Sequence, residues 1–241
     1  MRKLQTGKKK TGRVVIVIAL LLAAILMLSI QITEITVNGN ERYTEEQIIE
    51  LIFPDQQDRN TAYCYFMDRF QEHKQIPFVE DYTIVFNGLN DVEIIVYEKS
   101  VVGYVSYMSS YMYFDKDGII VESANRRVDG IPWVVGLKFG QIALYRPLPV
   151  ENEQIFGEIL NLTQILSIYK LEVDKIQYDA FGEAVLYLDD IEVIIGSNEG
   201  LNGKIAELSD MLPELAGRSG TLHLETYDET NPNAMYVFNP R

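Results

Sequence analysis

The longest apolar run in the chain, VVIVIALLLAAILMLSIQI from Val14 to Ile32, carries no charge and is bounded by Arg13 and Glu34. At the rise of an α-helix its roughly 19 residues reach about 28 Å, close to the thickness of a bilayer hydrocarbon core. The pattern predicts a transmembrane helix over 14–32, with Val14, Leu20, Leu26 and Ile30 among its anchor positions. Arg2, Lys3, Lys8, Lys9, Lys10 and Arg13 precede it, so the positive-inside bias puts residues 1–13 in the cytoplasm and everything after the span outside. A cleaved secretory signal would need a shorter apolar core and small residues at the cleavage spacing, which SIQITEITV does not offer. A buried helix of a soluble protein would need a core larger than this chain can build, because the run is apolar on every side.

Past the run the periodicity shortens. ITEITVNGN reads as a strand closing in a turn at Asn38, Gly39 and Asn40, residues that accept positive φ. Thr44 and Gln47 fit a capping box, and Ile48, Leu51 and Ile52 then share a helix face until Pro54. Tyr63, Phe66, Met67 and Phe70 recur at helical spacing after Asn60 and predict an aromatic core stripe. Tyr82, Ile84 and Phe86, then Val92, Ile94 and Val96, alternate as two strands around the NGLND turn. Strand, helix, helix, strand, strand over residues 33–99 describes a small sheet with both helices on one face.

Residues 100–228 form a second unit richer in strands. VVGYVSY, YMYF and IIVES are predicted strands, the last two joined at Asp115–Gly118. That acidic turn is not an EF-hand, which would require an acid at Tyr113 and a Glu at Ala124. Trp133 is placed over the sheet edge. Ile155, Ile159, Leu162, Leu166 and Tyr169 predict a helix docked on the sheet, too short for a coiled-coil seam. VDKIQYD, GEAVLYL and IEVIIGS follow as strands, the last pair turning at Asp189 and Asp190. GSNEGLNGK lacks the Gly at Asn198 and the Ser or Thr at Ile205 of a phosphate loop. It reads instead as a helix start capped by Asn202, with Ile205, Leu208, Leu212 and Leu215 facing the sheet and Pro213 kinking the helix. TLHLETY is the last predicted strand, and residues 229–241 are a polar tail.

These segments resemble the bacterial cell-division family FtsQ/DivIB. The first half of the resemblance rests on a basic tail and single span, Val37-Asn38-Gly39-Asn40, the helix after Thr44, Ile76-Pro77-Phe78-Val79-Glu80, and Val92 to Lys99. The second half rests on Phe114 to Ile120, Ile131-Pro132 with Gly136, Val193 to Gly196 leading to Lys204-Ile205, and the strand after Gly220. The chain departs from the family at Asp189-Asp190, often Asn-Gly, and at Glu225, near which an Arg is common. The resemblance implies an α+β fold: a transmembrane helix, a POTRA module (β-α-α-β-β) at 33–99, and a mixed β domain with helices packed on a mostly antiparallel sheet at 100–228. It also implies a non-enzymatic scaffold that helps control septal peptidoglycan synthesis, with FtsL-like and FtsB/DivIC-like single-pass proteins as partners.

Charge sharpens that picture. Six of the 21 Lys and Arg residues fall in the first 13 positions, which hold no acid, so the remainder sets 15 basic residues against 35 acidic ones. Such an exterior repels nucleic acid, whereas the tail suits anionic membrane lipid. Cys64 is the single cysteine and is read as a small core residue, not a reactive thiol. His73 and His223 fall in different units with no neighbours forming a nucleophile–base pair or a metal set. No catalytic, metal or cofactor-binding residue is assigned. The expected partner surface is the last strand, Thr221, Leu222, His223, Leu224, Glu225, Thr226 and Tyr227, acting as an open edge to which a partner strand adds. The alternative of Met235–Phe238 folding back over that edge stays open. Two other functions compete with this reading: a membrane-anchored cell-wall hydrolase or transferase, and a receptor for an extracellular ligand.

Overall fold

Local capping and turn chemistry start most elements in the computed structural model, which describes residues 6–231 and 236–241 and, within the first helix, the side chains of residues 14–22, 25, 27 and 29. Residues 1–5 of the basic tail, the side chains of 6–13 and of the anchor position Leu26, and residues 232–235 of the C-terminal tail lie outside that description. The chain divides into two compact units, Met1–Lys99 and Ser100–Arg241.

The first unit begins with helix α1, Thr6–Ser29. The expected transmembrane helix over 14–32 is corrected here: among the described residues no helix is long and apolar enough to cross a membrane. The physical reason lies at the end of the run. From Val14 the apolar part of α1 has about 16 residues, or about 24 Å, short of a core of about 30 Å. The next three residues belong to the folded unit. The Ile30 carbonyl accepts from the Thr61 N–H (3.1 Å), and the Ile32 N–H donates to the Arg59 carbonyl (2.7 Å). Gln31 bridges to Asn60, and Ile32 is buried.

After α1 come strand β1 (Glu34–Asn38), helices α2 (Glu45–Ile52) and α3 (Thr61–Phe70), and strands β2 (Val79–Phe86) and β3 (Asp91–Glu98). The Thr44–Gln47 capping box forms as read. Gly39 turns the chain at φ +82°, where a Cβ would strike the Val96 carbonyl. The sheet order is β1-β3-β2, with β1 parallel and β2 antiparallel to β3. Val37, Ile48, Ile52, Cys64, Tyr82, Ile94 and Val96 belong to its core. The aromatic stripe on α3 does not. Phe66 and Phe70 are 53% and 66% exposed, their rings 5.0 Å apart on the outside of the helix. Cys64 faces inward in their place.

The second unit is a mixed nine-stranded sheet with two helices. Its elements are β4 (Gly103–Tyr107), β5 (Ser110–Phe114), β6 (Ile120–Ala124), β7 (Trp133–Val135), α4 (Glu153–Ile168), β8 (Lys175–Tyr178), β9 (Ala184–Leu188), β10 (Ile191–Gly196), α5 (Leu201–Leu215), β11 (Gly220–His223) and β12 (Val237–Pro240). The order across the sheet is β12-β11-β10-β9-β8-β7-β4-β5-β6. Parallel pairing at β4/β7, β7/β8 and β10/β11 breaks the antiparallel pattern. The last two of these pairs are reached by crossovers through α4 and α5, which parallel neighbours require. Buried Phe156, Ile159, Leu162 and Leu166 of α4, with Ile205 and Leu208 of α5, join Ile176, Leu186, Val193 and Ile195 in one core.

Three details differ from the pattern-based reading. Trp133 is not at a sheet edge but in β7, paired with Tyr104 on one side and Lys175 on the other. Helix α5 starts at Leu201 behind Gly200 in the left-handed region, so Asn202 is inside the helix and not its cap. The last predicted strand ends at His223, and β12 follows it within the polar tail.

Two measurements test this packing. Gly136 follows β7 at φ +96°, and a Cβ there would run into the Tyr178 carbonyl oxygen of β8. Gly136→Ala is expected to lower the stability of the second unit by about 2 kcal/mol or more in urea denaturation. Burial, with Asp68 and Asp58 adding, pushes the Cys64 thiol up to about 12. Its unfolded value is about 8.5, so the folded unit holds the proton more tightly. The resulting stabilisation is complete below about pH 8.5 and is lost as pH rises from there toward 12. A thiol reagent at pH 8 should therefore label Cys64 only as fast as the first unit opens, and Cys64→Ala should flatten the alkaline fall in stability.

Candidate functional site

The residues expected to form an open edge lie at the β10–β11–β12 end of the second unit. Thr221, Leu222 and His223 are in β11, which pairs parallel with β10 and antiparallel with β12. The N–H groups of Gly220 and Leu224 donate to Asp190 and Ile194 of the β10 side. The alternate groups of Thr221 and His223 therefore face β12, opposite Asn239 and Val237. Both sides of β11 are occupied, Leu222 and Leu224 are fully buried, and the open-edge placement of this strand is corrected. Of the two alternatives, the return of the C-terminal segment is the one the chain adopts.

Gly220 makes that return possible, because a Cβ there would meet the Asn239 carbonyl and the Phe238 ring. Asn239 is also joined to His223, whose other ring nitrogen lies 2.8 Å from Glu225. Arg241 pairs with Glu192 of β10, and its N–H donates to the Ser219 carbonyl. This ladder turns the main-chain groups of Val237, Asn239 and Arg241 inward. Phe238 and Pro240 face outward, and Pro240 has no N–H. The edge is short and half blunted, as exposed edges tend to be.

Beside the edge lies a cavity of about 370 Å³ lined by Ser197, Glu199, Gly200, Lys204, Glu225, Tyr227, Asp228 and Glu229. Glu225 and Tyr227 thus meet α5, with the Tyr227 ring against Gly200 and Gly203, and a Cβ on Gly203 would collide with it. Tyr227 stacks with Tyr236 at 6.4 Å and 15°. Thr226 completes the turn between them.

Lys204 is the unforeseen residue. It is only 2% exposed, and its Nζ donates to the carbonyls of Ile195 (2.9 Å) and Ser197 (2.8 Å). Burial lowers its pKa, while Glu199 and Glu225 oppose the shift. An ammonium spent on carbonyl groups and surrounded by carboxylates does not cradle a phosphate, so the loop before it is a structural joint. The available sequence signal was its spacing: Leu201, Lys204, Ile205 and Leu208 share one buried helix face.

The two histidines belong to separate units. His73 sits between Asp68 (3.3 Å) and Asp81 (2.7 Å) and stacks on Tyr82 at 4.4 Å. Its hydrogen bond holds the Asp81 carboxyl below the usual carboxylate range. Among the described residues no group of three or more His, Cys, Asp or Glu side chains is arranged to hold a metal ion.

No family model matches the sequence. The chain is similar to the cell division protein DivIB of Clostridium acetobutylicum, 21% identical over 183 residues, a match spanning 74% of this chain and 72% of that protein.

Proposed function

We propose that this protein is a non-enzymatic scaffold of bacterial cell division. In this reading it acts at the division septum by binding the outer segments of FtsL-like and FtsB/DivIC-like single-pass proteins and so helps control septal peptidoglycan synthesis. The observation that carries the reading is β12: a four-residue outer strand that ends a nine-stranded sheet and presents the Phe238 main chain outward. A partner strand added there gains main-chain hydrogen bonds, and the alternate side chains give selectivity. The similarity to DivIB supports the biological setting.

The charge around the edge narrows the partner. Glu199, Glu225, Asp228 and Glu229 line the neighbouring cavity, so a basic side chain next to the added strand is favoured and an acidic one is disfavoured. The expected binding set is therefore β12 with Glu225 and Tyr227. Thr221, Leu222, His223 and Leu224 form the support beneath it, and Thr226 connects the two.

Binding of the full chain to the outer segment of a DivIC-like partner tests the proposal. Phe238→Pro removes the outward N–H and should weaken binding by roughly tenfold, about 1.4 kcal/mol. Unchanged affinity would remove β12 from the interface. Gly220→Val separates two geometries, because its side chain displaces β12 from β11. Binding should fall if the partner adds to β12. A rise would mean instead that the partner replaces β12 and pairs with Thr221 and His223 directly.

A further inference from the structure

The tips of two hairpins in the second unit hold large apolar side chains out in water. Phe181, in the β8–β9 turn, is 91% exposed, and Met108, in the β4–β5 turn, is 81% exposed. Both tips lie at the same end of the sheet. β4, β7 and β8 run parallel, with Tyr104 opposite Trp133 and Trp133 opposite Lys175, so the register carries Met108 to the height of Asp179. Three strand spacings separate the tips, from between β4 and β5 to between β8 and β9, which is about 14 Å across an untwisted sheet.

Neither side chain is required by its turn. Met108 and Ser109 both have positive φ, 46° and 67°, in a two-residue connection whose geometry favours Asn-Gly. A methionine at this place costs backbone energy and buries little of itself in return. At the other tip the turn is built by Asp179, whose Oδ1 accepts from the N–H groups of Phe181 (2.8 Å) and Glu183 (2.9 Å), and by Gly182 at φ +86°. The Phe181 ring takes no part in it. The base of this turn is tied to the unit, because the buried Tyr178 hydroxyl donates to Asn198 (2.9 Å), which donates in turn to the Glu158 carbonyl (3.1 Å). A fixed aromatic ring and an adaptable thioether are side chains suited to anchoring a protein contact.

Charge selects the occupant. Glu183 follows the Phe181 turn, and the Glu158 carboxylate lies 3.4 Å from where a Gly182 side chain would begin. Neither acid is in an ion pair among the described residues. Met108 has uncharged neighbours in Tyr107, Ser109 and Ser110. A groove that receives both tips is therefore apolar along its length and basic at the Phe181 end. Anionic lipid and a second copy both bring the wrong sign, since the chain holds 35 Asp and Glu against 21 Lys and Arg. We propose that Phe181 and Met108 are paired anchors for another protein, one whose apolar groove is flanked by Lys or Arg where Phe181 enters. This contact does not rest on the partner reading of β12.

Photo-crosslinking in the cells that make the protein tests this. p-Benzoylphenylalanine is placed in the full chain at 181, at 108 and, as a control, at Ile168, which is 75% exposed but closes α4 at the opposite end of the sheet, shortly before β8 begins. Positions 181 and 108 should give adducts with one and the same protein, and 168 should give none. The peptide joined to 181 should carry apolar residues next to Lys or Arg. Glu158→Lys with Glu183→Lys should lower the adduct yield at 108 by roughly threefold or more, with the thermal transition unchanged. The proposal is overturned by no adduct at either tip, by different proteins at the two tips, or by equal adducts at 168. It is equally overturned by adducts only with lipid or a second copy, by a joined peptide without basic residues, or by a yield at 108 indifferent to the charge reversal.

Discussion

Three residues of β7 hold the second unit's sheet together. Trp133 pairs with Tyr104 on one side, and Trp133 to Val135 pair with Lys175 to Gln177 on the other. Through this strand the β4–β5–β6 hairpins and the β8–β12 strands become one surface. Both contacts are parallel, so neither can be made by a tight turn. They depend instead on the loop that brings the chain to Trp133 and on α4, which carries it back to β8. Gly136 releases the chain from β7 at a backbone angle that side chains rarely adopt and at a distance from Tyr178 that leaves no room for one. The breadth of the sheet thus rests on a small residue at the end of a very short strand.

The far end of the same sheet is also built by close approaches. Gly220 lets β12 lie against β11, and Gly203 lets Tyr227 lie against α5. Lys204, with its stem in the core and its ammonium on two carbonyl groups, joins α5 to the end of β10. A buried ammonium is tolerated because hydrogen bonds and the nearby carboxylates offset part of its desolvation. These contacts set the positions of Glu225, Tyr227 and Phe238 relative to one another. Selectivity at such a surface comes from a rigid support, which a loop alone would not supply.

What was legible in the sequence was what neighbouring residues decide among themselves. Thr44 with Gln47, the turn at Asp189-Asp190 and the alternation of β2 and β3 are local chemistry, and they appear where the pattern puts them. The failures share a different cause. Periodicity shows that Phe66 and Phe70 share a helix face, but not which face the sheet covers, and Cys64 took the inner place. A hydropathy window counts Ile30 to Ile32 with the helix, whereas hydrogen bonds from residues 27 to 31 positions away in sequence draw them into the unit. Strand β12 was hidden because VFNP is short and follows a polar stretch. Its partner was named by Gly220, whose missing side chain has meaning only once the two strands are side by side.

The proposed partner edge also limits how affinity can arise. With Phe238 outward and Pro240 without an N–H, main-chain pairing offers few bonds, each contributing about 1 kcal/mol net. Association itself costs at least about 4 kcal/mol. Pairing alone therefore cannot hold a partner, and in the proposed complex side chains must provide the remainder. Tyr227 and Tyr236, stacked beside the strand, offer apolar area at low entropic cost, and the acidic cavity next to them discriminates by sign of charge. In the proposed complex a blunted edge is then an advantage: it resists indiscriminate strand addition, while a partner that also fills the aromatic and acidic positions would be retained.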